Sequence, residues 1–226
     1  EAGKTVGEAR GEVASAAASV AWAAGEAVRV AGAVLPASEA TKRALTLRQP
    51  VGVVGAITPW NFPASMVTRK VAPALAAGCT VVLKPAESTP LTAAALAELA
   101  RRAGVPPGAF NLVSGDAPAI GDALLRDPAV RKLGFTGSTA VGKALAAKAA
   151  ATVKRVSLEL GGNAPFIVCA DADLDAAATA LAASAFRNAG QTCISASRAL
   201  VAREIAPEFA ALVAARVARL RPGRGL

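Results

Sequence analysis

The chain predicts an α/β protein built on a parallel sheet, and three observations carry that expectation. Short apolar, β-branched runs at residues 51–57, 80–83, 110–113, 130–135 and 153–160 alternate with Ala-rich stretches of helical length. The run at 51–57 (VGVVGAI) is continuously apolar rather than alternating, as a strand covered on both faces requires. The hydrophobic fraction is 54% while aromatics make up only 4%, so the core is mostly Ala and Val, which suits closely packed helices on a sheet.

Taken in order, Thr5 is placed to cap a long first helix, with Val13, Ala17, Val20, Ala24 and Val28 as its packing face. Residues 43–48 alternate polar and apolar and read as an edge strand or interface arm ended by Pro50. The strand at 51–57 runs into TPWNFP (58–63), a rigid loop at the carboxyl end of a strand, where open α/β sheets bind ligands. Asn61 in that loop either faces a cleft or caps backbone. A helix over 66–77 follows, with Arg69 early in it.

The strand at 80–83 leads into Lys84 and Glu87, which are either a ligand grip or a solvated surface pair. Thr89 as cap and Pro90 at the first helical position start a helix that stops at Gly104. After the strand at 130–135, TGSTAVGK (136–143) gives a strand, a glycine turn and a helix start, which offers N–H groups and a dipole to an anion. Glu159 ends the strand at 153–160 beside Gly161 and Gly162, which permit close backbone approach. A further strand begins at 165–169, and the acidic DADLD (171–175) reads as a helix N-terminal charge set rather than a metal site.

The chemistry is bounded by an absence: the chain contains no His. That excludes a Cys–His dyad, a Ser–His–Asp triad and the commonest metal ligand. Cys79 and Cys169 lie inside apolar runs and read as buried structural residues. Cys193 follows the polar turn Gly190-Gln191-Thr192 and is either a nucleophile activated by some other group or an inert small hydrophobe.

The formal charge of +9 comes from scattered Lys and Arg without aromatic interleaving, which argues against nucleic acid and suits a dinucleotide phosphate or an anionic substrate. Three widely spaced Cys without CxxC exclude a disulfide framework and a structural zinc site, and point to a reducing, cytoplasmic setting. The longest uncharged run, 49–68, holds three prolines and Asn61, which a membrane span does not accommodate. The chain opens without Met inside a helix approach and stops just after a helix, so both ends read as truncated.

Five ordered segments resemble the aldehyde dehydrogenase superfamily, and within it the succinate-semialdehyde dehydrogenases. They are GAITPWNFP (55–63), KPAESTP (84–90), FTGSTAVGK (135–143), LELGGNAPFIV (158–168) and FRNAGQTC (186–193). The resemblance implies a Rossmann-like parallel-sheet NAD-binding domain over 1–161, with an oligomerisation arm at about 32–50, and the start of an α/β catalytic domain over 162–226. It implies Cys193 as the nucleophile, Asn61 as an oxyanion donor and Glu159 as the base that activates water. Trp60, Ser138, Gly137 and Gly142 fall to the cofactor phosphates, and Lys84 and Glu87 to the adenosine ribose. A carboxylate at Glu87 favours NAD, with NADP also possible.

Arg69 and Arg187 fall where the family holds the substrate's distal carboxylate, which implies succinate semialdehyde, with glutarate semialdehyde as the alternative. A non-catalytic dinucleotide-binding fragment is the reading from outside enzymology. The parent is expected to be a homo-oligomer. Ser195 stands where many relatives carry a second Cys, so no intrachain redox switch is expected.

Overall fold

Strand order is the feature that positions everything else. The computed structural model describes residues 1–225. Five strands, β3 (Val53–Ile57), β4 (Thr80–Lys84), β5 (Phe110–Leu112), β6 (Val130–Gly137) and β7 (Arg155–Leu160), form one sheet in the order β5-β4-β3-β6-β7. The chain starts in the middle, moves outward through β4 and β5, then returns to the other side of β3 with β6. The pairs β3–β4, β3–β6 and β4–β5 are parallel.

The described chain forms two compact units, one of residues 1–2 and 10–159, the other of residues 3–9 and the chain from Leu160 onward. In the first unit, helices cover both faces of the sheet. Val54, Ala56, Val81 and Leu83 on one face pack against Val67 and Val71 of α2 (Ser65–Ala76) and Ala93 of α3 (Pro90–Arg102). On the other face a side chain at Gly55 would sit 3.2 Å from Leu133 and 3.3 Å from Leu124, which belongs to α4 (Ala117–Arg126). Leu83, Leu133, Val67 and Val81 are the largest fully buried side chains, so the apolar runs do become a doubly covered sheet. α5 (Thr139–Ala150) follows β6 directly. A separate two-stranded antiparallel ribbon joins β1 (Ala33–Leu35) to β2 (Ala44–Thr46), with Val34, Leu45 and Leu47 exposed.

The second unit pairs β8 (Ala164–Val168) in parallel with β9 (Ala196–Val201) and packs α6 (Leu174–Phe186) and α7 (Ala206–Val217) around Val168, Ala178, Leu181 and Phe209. Asp173 caps α6, accepting from the N–H groups of Asp175 and Ala176 at 3.0 Å each, so the acidic cluster serves a helix start.

Three local expectations are corrected. In α1 (Val6–Ala27) the buried residues are Glu12, Ala16 and Ala23, whereas Val13 and Val20, and Val28 just past its end, are exposed. Small side chains allow the closer approach, and Glu12 is drawn in by backbone donors: it accepts from the N–H groups of Ala64 (2.7 Å) and Ser65 (3.2 Å) at the start of α2. Thr89 holds the cap position of α3 with Pro90 following, as expected, but its side chain makes no capping hydrogen bond. The Glu1 carboxylate takes that place, accepting from Leu91 N (2.6 Å), Thr92 N (2.8 Å) and the Thr92 hydroxyl (2.6 Å); against the opposing effect of burial these bonds, that of the Thr92 hydroxyl foremost, hold its carboxyl below the usual range. Cys169 is exposed, because it lies just past the end of β8 where the apolar run leaves the sheet; Cys79 is buried.

Candidate active site

In the first unit, register gathers the carboxyl ends of three strands. Ile57 pairs with Lys84 on one side and with Phe135 on the other. Residues just beyond these positions therefore share one edge of the sheet: Trp60 and Asn61 after β3, Glu87 after β4, and Gly137 and Ser138 at the end of β6. Thr58 N–H donates to the Lys84 carbonyl (3.1 Å), which ties the loop after β3 to the end of β4. β3 and β6 flank the point where strand order reverses, the place where open α/β sheets leave a crevice for a ligand.

The side chains at this edge have the character of a nucleotide grip. Lys84 is 3% exposed and its ammonium donates to the Glu87 carboxylate, which remains 59% exposed. The Lys84 hydrogen bond is the main reason the Glu87 carboxyl sits below its ordinary range. Gly137 leaves no room for a side chain, since a Cβ would fall 2.4 Å from the Phe135 ring. Ser138 caps α5, its hydroxyl accepting from Val141 N–H at 3.3 Å, so the strand-turn-helix segment ends in a helix N-terminus suited to phosphate. Gly142 is buried in the first turn of that helix. The Thr58 hydroxyl, directly after β3, is buried without a protein partner, and such an orphaned donor at the end of a strand fits a polar ligand. The edge therefore fits a nucleotide cofactor.

Trp60 is exposed, Asn61 is half-buried with its Oδ1 buried, and Arg69 is exposed on α2. Glu159 lies in β7 with its carboxylate exposed. Sequence reasoning missed its neighbour Lys70. Lys70 extends from α2 across the sheet to Gly134, where a Cβ would lie 3.7 Å from Cδ and 4.0 Å from Nζ. Burial lowers its pKa to about 8; Glu159 opposes that shift and Lys132 adds to it. Nothing in the sequence separates Lys70 from a surface helix lysine, because the cause is a sheet residue 64 positions further on that carries no side chain.

In the second unit, Cys193 is exposed and is not in a disulfide. It follows an unusual turn: Asn188, Ala189 and Gly190 have φ of 51°, 56° and 76°, three successive left-handed residues. Gln191 closes the turn, its backbone N–H and its side-chain amide both donating to the Asn188 carbonyl at 3.1 Å. Arg187 begins the turn and is exposed. A Cβ at Gly162 would press to 3.1 Å from the Cys193 carbonyl oxygen. The structure thus gathers Trp60, Asn61, Lys84, Glu87, Gly137 and Ser138 at one sheet edge, places Glu159 in an outer strand of that sheet, and carries Arg187 and Cys193 on the second unit. Among the described residues no cluster of three or more Cys, Asp or Glu could hold a metal, and no helix is long and apolar enough to cross a membrane.

The family model for the aldehyde dehydrogenase family matches residues 1–226. The chain belongs to the aldehyde dehydrogenase family. It is similar to the mitochondrial succinate-semialdehyde dehydrogenase of Arabidopsis thaliana, at 61% identity over all of this chain and 43% of that protein. The glutarate-semialdehyde dehydrogenase of Pseudomonas aeruginosa is 53% identical over the whole chain and 47% of its own length. A crystal structure of an Escherichia coli NADP-dependent enzyme superposes with a TM-score of 0.98 at 54% identity, over 99% of this chain and 47% of that one. The chain thus spans about half the length of the aldehyde dehydrogenases it matches, and the Rossmann-like parallel sheet is the fold they share.

Proposed function

We propose that the whole protein oxidises an aldehyde to a carboxylic acid with NAD or NADP, and that its substrate is succinate semialdehyde. The observation that carries the reading is the switch point between β3 and β6, where TPWNFP and TGSTAVGK end adjacent parallel strands at an edge that fits a nucleotide. Residues 1–161 are the cofactor domain in this reading, and 162 onward begin the catalytic domain. The exposed apolar ribbon in residues 32–50 serves as the oligomerisation arm of a homo-oligomer. A cytoplasmic setting suits cysteines outside any disulfide.

A bound nicotinamide supplies a two-electron hydride acceptor; this chain supplies the rest. The Cys193 thiolate adds to the carbonyl carbon, forming a C–S bond and placing the electron pair on oxygen. The Asn61 side-chain amide and the Cys193 backbone N–H donate to that oxyanion, a role in which loss of one donor costs about 3–4 kcal/mol of barrier. Oxidation leaves a thioester on Cys193. Glu159 takes a proton from water as the water attacks the thioester, releasing the acid and the thiolate. No imidazole is needed.

Trp60, Gly137, Ser138 and Gly142 hold the cofactor phosphates, and Lys84 and Glu87 the adenosine ribose. The Lys84 ammonium neutralises much of the Glu87 charge, so a 2′-phosphate is repelled less than the carboxylate alone implies. In this reading the site accepts NAD or NADP. Arg69 and Arg187 take the distal carboxylate, for which a guanidinium fork is the fitting partner. One methylene is worth only about 1–3 kcal/mol, so glutarate semialdehyde is the competitor. Purified whole protein should give a higher kcat/KM for succinate semialdehyde than for glutarate semialdehyde. The reverse order would move the substrate assignment, and no turnover of either would remove it.

A further inference from the structure

The first helix opens with a capping box whose acid reaches beyond it. Thr5 accepts the Glu8 backbone N–H at 3.3 Å, and its hydroxyl lies 3.3 Å from Glu8 Oε2. In the usual box the acid turns back to the N–H of the capping residue. Here Glu8 Oε1 accepts the backbone N–H of Asn188 at 2.7 Å, across 180 positions of sequence. Asn188 is 3% exposed and is the first of the three left-handed residues that lead into Gln191, Thr192 and Cys193. Ala189, with a Cβ and no polar side chain, is the least suited of the three to that conformation. A charged acceptor brought from outside the turn to its first N–H offsets that preference.

We propose that Glu8 is a positioning residue for Cys193. Its carboxylate keeps residues 188–190 wound and so fixes the direction in which the thiol and the backbone N–H of Cys193 leave the turn. The inference rests on Cys193 being the nucleophile, and the experiment separates the two claims.

Alkylation by iodoacetamide, followed by peptide mass spectrometry, reads each cysteine separately, with exposed Cys169 as the reference and buried Cys79 as the reporter of unfolding. In the wild-type chain Cys193 should react faster than Cys169; equal rates would overturn the nucleophile reading. Glu8→Ala should slow Cys193 by about tenfold, the size expected for losing a hydrogen bond to a charged group, and leave Cys169 unchanged. Glu8→Gln keeps an acceptor oxygen and should retain most of the rate. Ala189→Gly removes the conformational penalty and should restore Cys193 in the Glu8→Ala background. An unchanged Cys193 rate in Glu8→Ala would overturn the inference. So would a slowed rate that Ala189→Gly fails to restore, whether or not Cys79 becomes reactive.

Discussion

The sheet edge after β3 and β6 and the turn before Cys193 hold their residues by opposite means. At the edge, hydrogen-bond register does the positioning: once Val53–Ile57 pairs with both neighbours, the loops that follow have little freedom in where they begin. At the turn, the backbone adopts φ values that Ala189 disfavours, and bonds to Glu8 and from Gln191 oppose that preference. Sheet-held positions tolerate local change because many bonds share the load. Turn-held positions depend on a few side chains.

The sharpest break of this contrast is Cys193→Ala. It should lower turnover by the whole protein at least about a thousandfold, read as the appearance of reduced nicotinamide, while leaving the melting temperature unchanged. Activity retained within tenfold would remove Cys193 from the chemistry. Asn61→Ala comes next, with an expected loss of about 10²–10³-fold in kcat. A change confined to KM would make Asn61 a binding residue instead.

Lys70 sharpens the sheet side. Its pKa is lowered in the folded state from 10.5 to about 8, so between these values the unfolded chain binds the extra proton. Stability should therefore rise as pH increases from about 8 to about 10.5, by up to about 3 kcal/mol, and Lys70→Met should flatten that rise. Denaturant midpoints across the window, measured for both proteins, decide it; parallel curves would mean that Lys70 is solvated. Smaller still is Glu12→Ala, which strips the start of α2 of its acceptor and should cost about 2 kcal/mol in chemical denaturation. A cost within error would show that water replaces the carboxylate.

How much was legible in the sequence follows the same division. Pro and Gly punctuation located β3, β4 and the starts of α3 and α5, because the constraint and its cause lie within a few residues of each other. The helix start after the glycine turn at 136–138 was legible for that reason, whereas the Ser138 cap itself emerged only from the structure. The packing face of α1 was not, since the valines at helical spacing are exposed and Glu12 is buried by a bond to a helix 52 positions later. Thr89 had the right sequence for a cap, but Glu1 supplies the acceptor from 90 positions before Leu91. β9 was missed because ASRALV alternates too weakly to mark a strand before its partner β8 is known. The ordered segments that carry the family resemblance named Asn61, Glu159 and Cys193, whereas Lys70 and Glu8 depend on long-range contacts that no local pattern encodes.

The most direct test of the account is to stall the reaction after the cysteine has been acylated. Glu159→Gln in the whole protein, mixed with cofactor and succinate semialdehyde, should accumulate an acyl group on the Cys193 peptide by mass spectrometry, with reduced nicotinamide formed in a single-turnover burst. An acyl group on another residue, or steady turnover with none trapped, would contradict the division of labour between Cys193 and Glu159.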